Sequence, residues 1–512
     1  MARSTPDEAR QLLKSAQSTA EASAQTAQGE QLVQRVFAGD EAAQELTYAT
    51  AAEVVRAAGE ENEFPEDVAQ LALQVSKLAL CERVEAMKVL CEGDVLAGFC
   101  RLAVKHLGST SAHDALKCLN NAMYEQRFAQ QAFCDLPEDQ GAKVFAKVLA
   151  QKTDLEALRL AGAVGMMLVA SSTERSTDAP VSSAFVSSLV PNLLDILADH
   201  HPSSTDNRLD LFPESTSDRG MALRAGLTSC LKLIYAVMVT QPNVFANQAS
   251  EAQASRQELS TSQDMLSEEK TLAAFMDNLS LDSTEVSTVD RFGLAVTEVL
   301  RVTAPQNAST EELKSLSELW LQATSIAMLA CAFDGFPDLF VHRGGLEGLL
   351  DILDVRTQEI ANYEADPARA VQHVGELLPY IIACTQTVQM SPVGCSSARS
   401  RVFPEELPSL EQDDAESDKD FEARIKKRQM HGTTPKDVLG GRLIPFLTCL
   451  ESSLKRCVGE LLFALCRESP DEFTRRCGYG NAAHMLAIKG GMIGQILEKQ
   501  EEEQARRQAQ DK

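Results

Sequence analysis

Apolar residues recur at helical spacing from Gln31 to Gln500, whereas strand-like alternation and the Asn-Gly or Asp-Gly pairs of tight hairpins are scarce. After Thr448, Leu454, Val458, Leu461, Leu462 and Leu465 form one stripe, and Lys455, Arg456 and Glu460 fall off it. Ser111 reads as an N-cap ahead of the apolar face Leu116, Leu119 and Met123. Leu155 to Val169 is apolar all round in its second half, which suits a helix buried between neighbours. Aromatic residues make up only 5% of the chain, with Trp320 its single tryptophan, so the apolar payload is carried by helix formers rather than by the β-branched and aromatic residues that sheets lean on.

Polar, Pro- and Ser-rich stretches separate the helical blocks: Ser171 to Pro180, His201 to Arg219, Asn247 to Lys270, Val302 to Thr310 and Ser391 to Asp420. In 512 residues divided this way no single compact core fits, whereas stacked helical units of about 40 to 60 residues do. The expected fold is all-α, an armadillo/HEAT-like α-solenoid superhelix. Its expected layout is a disordered segment over 1–30, repeats over 31–390, a proline-rich and acidic linker over 391–432, last helical repeats over 433–497 and a charged tail over 498–512.

Composition and motifs exclude several functions. The net charge of −26 lacks the cationic surface that phosphate backbones and anionic membranes require, so no nucleic acid is expected as a partner. The first thirty residues hold no apolar signal-peptide core, and the apolar run Leu160 to Ala170 is about half of what spans a bilayer, so no membrane insertion and a cytoplasmic location are expected. The 13 cysteines include no Cys-x-x-Cys pair and read as small buried hydrophobes of a reducing compartment. Phosphate-binding loops, dinucleotide fingerprints, His-Glu-x-x-His and the nucleophile elbow are absent, and the histidines are isolated apart from His200 and His201. No metal site, no cofactor and no enzymatic chemistry are expected.

Two segments invite a binding role. In Lys117-Cys118-Leu119-Asn120-Asn121, an Asn on an apolar helix must place its amide, either on a guest backbone or on the neighbouring repeat or a loop. Arg159 and Lys232 occupy comparable helices, as cations for a guest carboxylate or as solvated charges. In Cys477-Gly478-Tyr479-Gly480-Asn481, the glycines permit a tight corner and Asn481 reads as the N-cap of a helix over Ala482 to Lys489.

The stretch from Leu461 to Gly491, with Leu-Cys-Arg-Glu-Ser-Pro followed by Gly478-Tyr479-Gly480-Asn481-Ala482-Ala483, closely resembles the signature of the synembryn family. Weaker likenesses lie upstream, in Leu116-Lys117-Cys118-Leu119 with Asn121, in Leu158-Arg159-Leu160, in Leu231-Lys232, and in Leu378 to Met390 followed by Val402-Phe403-Pro404. The resemblance implies a chaperone and guanine-nucleotide exchange factor for heterotrimeric G-protein α subunits, acting as a monomer. Its concave face takes the α subunit's C-terminal helix, GDP leaves, and the empty subunit is held until GTP binds. It implies partner-binding roles for Asn121, Arg159, Lys232 and Lys117, and recruitment to the plasma membrane only through the α subunit. Ala236 stands where the family carries an Asn. Animal members continue beyond the corner with an acidic phosphorylated segment and a further helix. This sequence ends at Lys512, which puts strong exchange stimulation in question more than binding. Ser417, beside Asp418 and Asp420, is a phosphosite candidate or an unmodified linker serine, and does not match the family's phosphosites. The alternative function is an armadillo-type adaptor for another client.

Overall fold

The computed structural model describes residues 7, 9–11, 13–14, 41–57, 65–82, 84–105, 107–137, 141–151, 154–170, 217–240, 288–303, 309–333, 335–362, 376–404 and 432–489. Among these residues there are helices and turns but no strand. The chain divides into two units, one of residues 1–295 with 304–322 and the other of 296–303 with 323–512.

In the first unit the helices are α1 (Glu41–Ala57), α2 (Glu66–Glu82), α3 (Val84–Leu90), α4 (Gly93–Lys105), α5 (Thr110–Met123), α6 (Arg127–Cys134), α7 (Ala142–Leu149), α8 (Leu155–Ala170) and α9 (Ser217–Thr240). Most of α10 (Thr288–Leu300) and the first part of α11 (Thr310–Ala330) belong to it as well. Helices α2, α5, α8 and α9 pack side by side in that order, and α1, α4 and α7 pack behind α2, α5 and α8. Close approach depends on missing side chains: a Cβ at Gly162 of α8 would stand 2.8 Å from the Ser229 carbonyl carbon of α9. In the second half of α8, Ala161, Val164, Leu168 and Val169 are buried, whereas Ala163, Met166 and Met167 are half-buried, so α8 is a core helix with one partly exposed side rather than a helix enclosed all round. Within α9, Gly220–Thr240 is long and apolar enough to cross a membrane, but 61% of its most apolar window is buried inside the protein, so α9 is also a core helix here.

Helix starts follow from short polar side chains. The N-cap of α5 is Ser109, whose Oγ accepts from Ala112 N at 3.3 Å, and not Ser111, which lies in the first turn and donates to Gln70. Sequence spacing favoured Ser111 because both serines precede the same apolar stripe. Ser309 and Glu312 close a reciprocal box at the start of α11, with Ser309 N donating to Glu312 Oε2 at 2.8 Å and Glu312 N donating to Ser309 Oγ at 3.2 Å. Residues 7–14 do not fit the expected disorder: the described ones are helical, Ala9 and Leu13 are fully buried, and Arg10 Nε donates to Asp67 Oδ2 at 3.0 Å.

The second unit holds α12 (Phe336–His342), α13 (Gly345–Asn362), α14 (Leu378–Met390), α15 (Pro392–Val402), α16 (Leu439–Leu443) followed by a 3-10 turn (Ile444–Thr448), α17 (Ser452–Leu465), α18 (Pro470–Cys477) and a helix α19 over residues 479–489. Helix α14 packs against α13 and α17, with α15 on α14, α12 and α17. All five residues of the stripe read from the sequence of α17 are buried. The linker expected from residue 391 onward begins instead as α15. Ser391 caps it, accepting from Gly394 N at 3.1 Å, and Pro392 fills the first-turn position whose missing N–H costs nothing. Proline there starts a helix rather than breaking one. Residues 405–431, which hold Ser417, and the tail over 498–512 lie outside the described residues.

All 13 cysteines are free thiols. Most are buried, and burial pushes the Cys100 and Cys230 thiols up to about 12, so they are neutral at physiological pH. Cys81 and Cys134 depart from the expected burial and are exposed, and Cys395 and Cys449 are half-buried.

Candidate partner-binding face

The side-by-side packing of α2, α5, α8 and α9 leaves each helix one stripe that is only partly covered: Lys77 and Cys81 on α2, His113, Lys117 and Asn121 on α5, Glu156, Arg159 and Ala163 on α8, and Lys232, Ala236 and Val239 on α9. Spacings of three and four residues bring each set onto one side of its helix. The polar groups of the α2, α5 and α8 stripes are bonded across the helix boundaries.

On α2 and α5, Lys77 Nζ lies 2.6 Å from Asp114 Oδ1, and Gln70 Nε2 donates to Asp114 Oδ2 at 3.0 Å. The Asp114 side chain is only 4% exposed, so these bonds satisfy a buried charge. The Asn121 amide donates to the Lys77 carbonyl at 3.2 Å and to Cys81 Sγ at 3.0 Å. Of the two sequence readings of Asn121, the bond to a neighbouring helix is therefore present. Between α5 and α8, His113 Nε2 lies 2.8 Å from Asp154 Oδ1, and Asp154 also caps α8 by accepting from Ala157 N at 3.1 Å.

One turn further along, Lys117 Nζ lies 3.4 Å from Glu156 Oε1. Glu156 also receives the Arg159 guanidinium in a fork, Nε to Oε2 at 2.8 Å and Nη2 to Oε1 at 2.9 Å. The hydrogen bond from Arg159, with the charges of Arg159 and Lys117, holds the Glu156 carboxyl below its usual range, and the same bond raises Arg159. On α9, Lys232 Nζ lies 2.5 Å from Glu318 Oε1 of α11.

Lys117, Asn121 and Arg159 therefore stand together on adjoining helices, while Lys232 stands on the next. Each of the three cations has a carboxylate partner in this structure. The carboxylates were not singled out from the sequence. Glu156 carried a signal, since it sits three residues before Arg159 on the same helix; Glu318, 86 residues from Lys232, carried none.

In the second unit the Gly-Tyr-Gly-Asn segment forms the expected corner between two helices, but with different parts. Gly478, at φ +84°, is the only residue between α18 and α19, a backbone angle that favours glycine. Helix α19 begins at Tyr479, so Asn481 is not its N-cap. The Gly478 carbonyl receives the Ala482 N–H at 2.9 Å, and the Asn481 amide turns back to donate to the Cys477 carbonyl at 2.8 Å. Tyr479 is 61% exposed, and Gly480 lies in the first turn.

Below the corner is a charged hub. Glu472 Oε1 accepts from Arg399 Nη2 and from Arg476 Nε, each at 2.9 Å, and Oε2 accepts from Arg475 Nε at 2.9 Å. Arg476 also donates to the Pro404 carbonyl at 3.1 Å, and its guanidinium stands 5.5 Å from the centroid of Phe403. Burial pushes the Glu472 carboxyl up, but the hydrogen bonds from Arg476 and Arg475 and their charges outweigh it, and the net shift is downward. Thr433 and Thr434 donate their backbone N–H groups to the Arg475 and Arg476 carbonyls at 3.0 and 3.3 Å. No group of three or more potential metal ligands occurs among the described residues.

These features define an all-α protein of side-by-side helices with a polar, cross-braced face. The family model described as guanine nucleotide exchange factor synembryn matches residues 72–512, and the chain belongs to that family. The relatives it resembles are named chaperone Ric-8A: it is 43% identical to that of Gallus gallus over 56 residues, 45% to that of Mus musculus over 58 and 37% to that of Xenopus laevis over 70. The matched segments cover 11%, 11% and 14% of this chain and 10%, 11% and 12% of the relatives. The chain thus spans about a tenth of the length of the curated relatives it matches. A chain solved in work on a phosphorylation switch between cadherin and beta-catenin aligns over 92% of both chains at 13% identity, with a TM-score of 0.21.

Proposed function

We propose that this protein is a guanine-nucleotide exchange factor and folding chaperone for G-protein α subunits. It takes the subunit's C-terminal helix along the face of α2, α5, α8 and α9, within an armadillo/HEAT-like α-solenoid. Membership of the synembryn family, matched across residues 72–512, is the observation that carries the reading. The side-by-side order of those helices and the Lys117, Arg159 and Lys232 cations along their open stripes support it.

The mechanism is differential binding rather than covalent chemistry. A protein that grips the α subunit better with its nucleotide pocket open shifts the population toward that state, and GDP leaves. Driving a closed-to-open ratio from about 99:1 to 1:99 takes about a 10⁴-fold preference for the open state. GTP then reverses the grip by stabilising the closed state. The protein acts as a cytoplasmic monomer, reaching the plasma membrane through its partner.

Capture of a purified α subunit with and without excess GDP tests the reading. Stronger capture of the nucleotide-free subunit and faster GDP release are expected. Nucleotide-independent binding, the behaviour of an armadillo-type adaptor for another client, contradicts it.

A further inference from the structure

The cations of the proposed binding face are already occupied by carboxylates of the chain itself. Glu156 is placed to matter most. It lies on α8 at the centre of the face, its side chain is 34% exposed, and it holds cations from two helices. Both of its oxygens are engaged by the Arg159 fork, at 2.8 and 2.9 Å, with Lys117 at 3.4 Å behind one of them. A bidentate fork is the geometry with which a guanidinium recognises a free carboxylate. The other pairs differ. Asp114, held by Lys77 and Gln70, is almost fully buried and serves as a brace. Glu318 meets Lys232 by one contact and is 52% exposed, with more of its charge screened by water.

We infer that Glu156 is an internal stand-in for a ligand carboxylate: the C-terminal carboxylate of the bound helix displaces it from Arg159 and Lys117, so that Glu156 sets the affinity and selectivity of the face. The inference rests on the function proposed above. A guest ending in a neutral amide has nothing to exchange with Glu156. A guest ending in a carboxylate trades one ion pair for another, and its net gain is small while Glu156 keeps its charge. Glu156 is thus a specificity-determining residue that acts through Arg159 and Lys117. Its carboxylate also keeps two cations on adjoining helices from repelling each other when no ligand is bound.

The test uses the full chain and a synthetic peptide of an α subunit's C-terminal helix, made with a free carboxylate and as the carboxamide, with affinities read by fluorescence anisotropy. Glu156→Gln keeps the shape and removes the charge. It is expected to raise the carboxylate-to-amide affinity ratio about three- to fivefold, as an ion pair of this exposure allows. Glu156→Asp, which keeps the charge, should return the ratio toward the wild-type value. A purely structural Glu156 would alter both peptides alike. An unchanged or lower ratio in Glu156→Gln overturns the inference. If the whole α subunit still binds in a nucleotide-dependent way, the proposed function survives that result; absence of α-subunit binding to the wild-type chain removes both.

Discussion

Replacing Glu472 by Gln tests whether the charged hub fixes the helical corner. Gln keeps the volume and one acceptor, so the change is in charge. Wild-type Glu472 is 16% exposed, and it pairs with Arg476 at 5%, Arg399 at 21% and Arg475 at 47% side-chain exposure. Bonds to a charged group contribute about 1 kcal/mol more than neutral ones. The Arg476 and Arg399 bonds count nearly in full, and the half-exposed Arg475 bond is discounted for solvent screening. The expected loss is about 2 to 3 kcal/mol at neutral pH. Glu472→Ala, which strips the buried Arg476 of its anion altogether, should cost about 3 to 5 kcal/mol. The Pro404 carbonyl and the Phe403 ring remain to Arg476 in both variants.

The acid dependence has a definite sign. The Glu472 carboxyl is depressed in the folded protein, so its contribution is complete above the ordinary Glu value of about 4.3 and disappears as pH falls through the lower folded value. Urea unfolding followed by circular dichroism should therefore separate wild type from Glu472→Gln at pH 7, and the curves should converge in acid. Amide exchange at Thr433 and Thr434, whose N–H groups rest on α18, should speed up in the variant. Coincident unfolding at pH 7, or a gap that persists unchanged into acid, would refute the argument.

Three further outcomes follow. Gly98→Ala puts a Cβ 2.8 Å from the Val55 carbonyl carbon and closer still to its oxygen, so α4 must move away from α1. A thermal melt should show a loss of about 1 to 3 kcal/mol despite alanine's better helix propensity. Ser109→Ala removes the α5 cap and should cost about 1 kcal/mol by the same measurement, whereas Ser111→Ala should not reproduce a cap loss. Lys232→Glu, at a pair with both members more than a third exposed, should leave stability within about 0.5 kcal/mol and weaken α-subunit capture in a pull-down.

The helices were legible because their signals are local. The α17 stripe follows from three- and four-residue spacing, whereas the all-apolar second half of α8 read as enclosed and yet leaves Ala163, Met166 and Met167 half-buried. The errors arose where a local signal has two uses. Pro392 read as a linker residue because proline breaks helix interiors, yet behind Ser391 it starts α15. Asn481 read as a cap because its residue type suits one, yet the Gly478 carbonyl already starts α19 and leaves the Asn481 amide for Cys477. The site was half legible. Lys117, Asn121, Arg159 and Lys232 are visible as polar residues on apolar helices. Their partners are set by packing between helices: the Lys77 carbonyl beside Asn121 and Glu318 beside Lys232 depend on contacts 44 and 86 residues apart, which no periodicity encodes. The net charge of −26 argued against nucleic acid but said nothing of the carboxylates that neutralise the face.

The most direct measurement is the rate of GDP release from one purified α subunit with the full chain present, run beside the same subunit shortened at its C-terminal helix. Accelerated release from the intact subunit, lost on shortening, is the predicted result. Release that is unaffected by the chain, together with equal binding of the intact and shortened subunits, would contradict the account.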